Sequence, residues 1–285
     1  MKKKPYRILT VLLLLVLVGS AAAAGWHLLD VSQGERAYQE ASQAAGLAPP
    51  ELESPDVPEA PSGTDAPAEI PAGSPAEAQP EAPAETLEDR LDALAAVDLS
   101  LLRAVNPQVV GWLEIPGTRI SYPLLQGEDN SYYLRHTWTG GTSSVGALFL
   151  ECTNSPDFSG FNTIIYGHNM RSGAMFAGLH RYEEPGYWQE HPSVYLVDDA
   201  GLHRYDIFAA HAPGVQEIVY RLDLTEAEIQ EEFISFCLER SVINTGIIPA
   251  AGDSILTLST CTGSGYDARW VVQAVLREDM VPASE

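Results

Sequence analysis

Ile255-Leu256-Thr257-Leu258-Ser259-Thr260-Cys261-Thr262-Gly263-Ser264-Gly265-Tyr266-Asp267-Ala268-Arg269-Trp270-Val271-Val272 is the stretch on which the reading of this chain turns. It opens as a β run and halts at a cysteine. A polar, glycine-rich segment follows, and a second β run begins at Arg269. Two β runs separated by seven turn-forming residues predict an antiparallel hairpin, with strands near Ser254–Thr260 and Trp270–Leu276. In that hairpin Cys261 and Arg269 face each other at the strand ends. A guanidinium beside a thiol favours the thiolate, the nucleophilic form. The same cation can stabilise an oxyanion or hold a carbonyl.

Outward from the hairpin the pattern stays β. Short runs near Val110–Ile115, Ile120–Leu124, Ala147–Glu151, Thr163–Tyr166, Ser193–Asp198 and His203–His211 are broken by Gly, Pro, Asn and Asp. With the hairpin they make eight strands. The prediction is a mostly β fold, a closed or nearly closed eight-stranded barrel, because closure removes exposed edges. Helical insertions are expected over Met175–Tyr182 and Thr225–Ser241, the second opening on the capping-box pattern Thr225-Glu226-Ala227-Glu228. A helical pattern resumes near Thr86 through Leu87, Leu91, Leu94, Leu101, Leu102 and Val105, and Pro107 ends it.

Residues 1–7 carry Lys2, Lys3, Lys4 and Arg7, and Ile8–Trp26 carries no charge. Nineteen helical residues rise about 28 Å, close to a bilayer's hydrocarbon thickness. The basic residues before this span predict a cytoplasmic N-terminus, with the rest of the chain outside the cell membrane. Ala22-Ala23-Ala24 would suit signal peptidase, but the apolar run exceeds a typical signal core, which favours a retained anchor over residues 8–26. Ten of the 20 prolines fall between Pro49 and Pro83, so residues 27–85 are expected to be a Pro/Ala/Glu-rich extracellular tether. Residues 86–285 are left as the folded domain. The formal charge of −23, with 16 basic against 39 acidic residues, excludes a polyphosphate-binding surface, so no nucleic acid partner is expected.

The three cysteines, Cys152, Cys237 and Cys261, form no CxxC pair, and neither a metal nor a cofactor is expected. Cys237 lies in an apolar helical segment and reads as a small buried hydrophobe. Cys152 also reads as a small core residue, with a redox partner for Cys261 as the alternative. Cys261 does not, because it ends a strand beside a glycine loop. A cysteine nucleophile needs a proton-transfer partner, usually histidine. Among the 7 histidines, His168 and His211 both follow strand-like runs, and composition alone does not choose between them.

Asn162-Thr163-Ile164-Ile165-Tyr166-Gly167-His168-Asn169-Met170 resembles the histidine segment of class B sortases. Thr257-Leu258-Ser259-Thr260-Cys261 resembles their TLxTC segment, and Asp267-Ala268-Arg269 with Val271-Val272 their arginine segment. Asn106-Pro107-Gln108-Val109-Val110-Gly111-Trp112-Leu113-Glu114-Ile115-Pro116-Gly117-Thr118 and Gln126-Gly127-Glu128-Asp129-Asn130-Ser131-Tyr132-Tyr133-Leu134 resemble the start of the class B domain. The similarity runs from about Asp98 to Leu276, with all segments in order. It implies a sortase-type barrel with Cys261 as nucleophile, His168 as general acid/base and Arg269 as oxyanion or substrate stabiliser. It further implies cleavage of a C-terminal sorting signal after Thr and transfer of the acyl group to an amine of peptidoglycan or of a pilin subunit. The partners would be surface proteins or pilins bearing that signal. A cysteine after the Phe149-Leu150-Glu151 strand end departs from the family pattern.

Two other readings use the same features. A hydrolytic cysteine protease would use the same Cys and His, but in papain-like sequences the Cys precedes the His, and here His168 comes first. A non-catalytic cell-surface binding module would suit the anchor, tether and barrel equally. The Cys261–Arg269 hairpin with His168 argues against it.

Overall fold

The computed structural model of the chain describes residues 4–48, 86–262 and 268–282. Among these, eight strands close into a barrel. They are β1 (Val109–Glu114), β2 (Ser121–Leu125), β3 (Leu148–Leu150), β4 (Asn162–Tyr166), β5 (Ser193–Asp198), β6 (Gly201–His211), β7 (Ile255–Cys261) and β8 (Arg269–Pro282). The order around the barrel is β1-β2-β3-β4-β7-β8-β6-β5. Each strand lies within a few residues of its expected place, except that β8 continues well past Leu276. Two pairings are parallel, β2 with β3 and β4 with β7; the others are antiparallel.

Strand β7 is buried on both faces, which accounts for its near-continuous apolar run. Leu256 and Leu258 point into the barrel with Ile165, Val272 and Ala274. Successive side chains alternate across the sheet, so Ile255 points outward. There it meets a second core made by Phe233, Ile234 and Cys237 of a long helix in the β6–β7 connection.

Helix α1 (Lys4–Ala44) is one continuous helix. Its side chains from Leu12 to Trp26 are exposed, and Tyr38, Ala41, Ala45 and Leu47 bury against the barrel core. The expected tether over 27–85 is therefore shortened from its N-terminal side. The chain from Val31 to Leu47 carries enough apolar side chains at helical spacing to dock, and residues 49–85 lie outside the described residues.

The helical segment after Thr86 is two helices, α2 (Leu87–Ala95) and α3 (Leu99–Val105), because Asp98 starts a new cap by accepting from the Ser100 N–H at 2.8 Å. A capping box forms at Thr86 with Asp89. Arg90 of α2 lies between Glu114, which it meets at 2.6 and 2.8 Å, and the carbonyl of Ala48 at 2.9 Å. It thus ties α2, β1 and the end of the α1 segment together.

The insertion expected over Met175–Tyr182 is a 3-10 helix, Ala177–Glu183, followed by the single turn α4 (Tyr187–Glu190). The second insertion is α5 (Ala227–Arg240). It is capped by the backbone of Glu226, with no side-chain cap bond. The capping box expected at Thr225 does not form, because the helix starts too late for Thr225 to reach its first N–H groups.

Candidate active site

Parallel pairing of β4 with β7 aligns Ile164 with Thr257 and Tyr166 with Ser259. Two residues further along each strand direction come His168 and Cys261. The period-2 alternation puts them on one face, above the rows Asn162, Ile164, Tyr166 and Ile255, Thr257, Ser259. On the other side of β7, antiparallel β8 pairs Arg269 directly with Cys261. The three residues singled out in the sequence thus lie at the same end of three adjacent strands: His168 two residues past β4, Cys261 the last residue of β7 and Arg269 the first of β8. The middle of the intervening loop, 263–267, lies outside the described residues.

Cys261 is exposed, whereas the six preceding residues of β7 are buried. Its carbonyl oxygen accepts from Asn169 Nδ2 at 2.9 Å and pairs with His180 Nε2 at 3.0 Å. The His180 ring stacks on Trp270, the residue after Arg269, at 5.4 Å between centroids. Trp270 Nε1 donates to the carbonyl of Leu179 at 2.7 Å. The 3-10 turn thereby grips both strands of the hairpin. The backbone of Arg269 is fixed by its N–H donating to the Pro213 carbonyl at 3.2 Å.

The His168 Nε2 lies 2.7 Å from the carbonyl of Leu134. A carbonyl only accepts, so in the neutral ring Nε2 carries the proton and Nδ1 keeps its lone pair. The loop bearing His168 is closed tightly. Phe176 N–H donates to the His168 carbonyl at 2.9 Å, and Asn169 bridges Met175.

Below Cys261 and His168 lies a polar floor. Ser259 Oγ and Tyr220 Oη share a hydrogen bond of 2.9 Å. Burial pushes the Tyr220 phenol up to about 12, and the Ser259 hydroxyl and the Arg269 charge only partly offset that. The phenol is therefore neutral at physiological pH. Tyr166 Oη donates to Glu151 at 3.0 Å, and Asn130 Nδ2 donates to the same carboxylate at 2.6 Å. Burial opposes the charge on Glu151, but the bonds from Asn130, Tyr166, Cys152 and Thr153 outweigh it and hold the carboxyl below its ordinary range. Cys152 is half-exposed rather than a core residue, and its thiol donates to Glu151 at 3.4 Å. Its position just past the end of β3 turns it out of the barrel. Burial and, after it, the neighbouring Glu151 carboxylate both raise its pKa, which disfavours the thiolate.

His211, the rival base, is not brought to this place. It is buried in β6 opposite Val271, with Nε2 3.1 Å from Gln273 Oε1. Asn169 was within the quoted histidine segment without a role being visible. His180 and Tyr220 carried no sequence signal, since neither lies in a motif. Among the described residues no group of His, Cys, Asp or Glu could hold a metal ion.

A sortase domain model matches residues 113–277. The chain is 35% identical to sortase B of Listeria monocytogenes over 181 residues, which are 63% of this chain and 74% of that protein. Its fold superposes on Clostridium perfringens sortase B with a TM-score of 0.60 at 27% identity, covering 64% of this chain and 100% of that one. It superposes on a Staphylococcus aureus sortase B–substrate complex with a TM-score of 0.60 at 28% identity, covering 63% and 84%. A barrel with this strand order, a matching domain over more than half the chain and relatives of this similarity leave one family: the chain belongs to the sortases, cysteine transpeptidases, and within them to class B.

Proposed function

We propose that Cys261 is the nucleophile, His168 the general acid/base and Arg269 the oxyanion or substrate-carbonyl stabiliser. Together they serve a cell-wall transpeptidase that cleaves a C-terminal sorting signal after Thr. The Cys261 thiolate attacks the threonine carbonyl, and the guanidinium of Arg269 meets the negative charge that develops on oxygen. As the tetrahedral intermediate collapses, His168 gives its proton to the departing amine, leaving a thioester. An amine of peptidoglycan or of a pilin subunit then attacks the thioester. Its proton passes to His168, and the thiolate leaves. The observation that supports this reading is the register: β4 stops two residues before His168, β7 ends at Cys261 and β8 begins at Arg269, all at one end of the barrel, and only there does a cysteine become exposed at a strand end.

The segment 8–26 is the membrane anchor in this reading, with the N-terminus cytoplasmic and the catalytic domain outside. Its support is the long N-terminal helix, whose most apolar 18-residue window has a mean hydropathy of 2.0, and the basic residues before it. The helix passes without a break from Trp26 to the docked residues beginning at Asp30, so the barrel sits next to the membrane instead of at the end of a long spacer.

The test is turnover of a threonine-containing sorting peptide by the full-length chain with and without an amine, followed by mass spectrometry of the Cys261 peptide. The expected result is a thioester on Cys261 and an amine-ligated product. Hydrolysis alone, whatever the amine concentration, would favour a protease. A peptide that binds without forming any adduct would favour a binding module.

A further inference from the structure

The C-terminal half of α1 is packed on the loop that supports His168. Asp30 accepts from the N–H of Ser144 at 2.9 Å and from its hydroxyl. Gly34 lies against Val145 so closely that a Cβ there would stand 2.7 Å from the valine Cγ2. The carbonyl of Ala37 accepts from Trp138 Nε1 at 2.6 Å. Tyr38, buried, donates its hydroxyl proton to the carbonyl of Gly146.

Gly146 touches the histidine ring. Its φ is +65°, and a Cβ on it would come within 2.7 Å of His168 Cδ2 and 3.1 Å of Nε2. At that φ and that distance from the imidazole only glycine fits. The same loop supplies Leu134, whose carbonyl pairs with His168 Nε2. One loop thus provides both the surface under the ring and its hydrogen-bond partner, and α1 grips that loop.

Tyr38 also reaches the opposite wall of the His168 loop. Its ring packs edge-on against Tyr122 at 5.2 Å. The Tyr122 hydroxyl accepts from the N–H of Met175 at 3.1 Å. Met175 has φ of +56°, a conformation that side-chain-bearing residues rarely adopt, and it bridges Asn169, the neighbour of His168. One tyrosine on the helix therefore braces both sides of the loop that carries the histidine.

We infer that Tyr38 is a positioning residue for His168, so that the helix leading out of the membrane span is part of the support of the active site. The inference rests on the assignment of His168 as the general acid/base. Proton transfer depends on sub-ångström placement of the ring, and misplacement by about 1 Å can cost up to a hundredfold in rate. Tyr38→Phe removes the bond to Gly146 but keeps the packing on Tyr122. It is expected to lower kcat by roughly tenfold while KM stays within about twofold.

The experiment is a double-mutant cycle in the detergent-solubilised full-length chain, with Tyr38→Phe, His168→Ala, both, and neither. Turnover is measured for the parent and the single variants. The rate of iodoacetamide alkylation at the Cys261 peptide is measured by mass spectrometry in all four, because it can still be read in inactive chains. The expected result is a fall in kcat and a changed alkylation rate on Tyr38→Phe in the parent, with no further change in the His168→Ala background. An unchanged kcat in Tyr38→Phe overturns the inference. An equal effect on alkylation in both backgrounds also overturns it, since Tyr38 would then not act through His168. Full activity in His168→Ala alone would instead overturn the catalytic assignment and the inference with it, and the single variant identifies that case.

Discussion

The barrel holds two cysteine–histidine neighbourhoods, and they differ in almost every physical respect. Cys261 and His168 stand at strand ends, the thiol exposed and the ring on a loop. Cys237 and His211 meet Gln273 beneath α5, all three buried. Burial pushes the Cys237 thiol up to about 12 and pushes His211 down from its ordinary value. Both shifts favour the neutral forms, so this pair cannot readily generate a thiolate and an imidazolium. The same residue types make a filled interior in one place and a solvent-exposed edge in the other. Solvent access is what separates them.

The largest test of that contrast is at the chemistry. Cys261→Ala is expected to abolish the covalent adduct, whereas Cys237→Ala keeps turnover and loses stability. A Cys237→Ala chain that formed no thioester while still folded would break the comparison. Arg269→Lys keeps the charge but loses the planar fork of donors. It is expected to cost about 3 kcal/mol of transition-state stabilisation, roughly a hundredfold in kcat/KM. Single-turnover kinetics would show whether that loss falls on the acylation step.

The next effect is on stability and concerns α1. A chain starting at His27 is expected to melt as the full-length protein does. A chain starting at Thr86 loses the packing of Tyr38, Ala41, Ala45 and Leu47. At about 1.5–3 kcal/mol for each large apolar side chain buried, the loss amounts to several kcal/mol. Thermal denaturation of the two chains would decide it: equal melting temperatures would mean that the docked helix contributes nothing.

The smallest effect is the pH dependence of the buried pair. The folded-state pKa of His211 is depressed, with burial as the leading cause. The unfolded chain therefore binds the proton more readily. Stability is fully present above the unfolded value of about 6.5 and falls as pH drops below it toward the folded pKa. His211→Leu is expected to flatten the slope of unfolding free energy between about pH 7 and 5. An unchanged slope in urea melts across that range would show that other groups carry it.

Much of the candidate site was legible because it is local. The Cys261–Arg269 pairing follows from two β runs and a seven-residue turn, and the strand ending before His168 from Asn162–Tyr166. The capping box was misplaced because the pattern at Thr225 is only permissive, and the helix begins at Ala227, where the second core starts. Cys152 was misread as core because whether a residue just past a strand end turns inward depends on the path of the following loop.

The sequence by itself determined the β character, the apolar N-terminal helix, the closed barrel and the three residues of the candidate site. Periodicity, turn chemistry and ordered motifs are carried by neighbouring residues. That His168 and not His211 follows the strand beside that of Cys261 was decided only by the tertiary structure, through the parallel pairing of β4 with β7, whose partners stand 93 positions apart. So was the docking of Tyr38 on Gly146, 108 residues away. Such contacts depend on strand order and on the closure of the barrel. No local pattern encodes them, because the free energy that selects them comes from burying both partners at once.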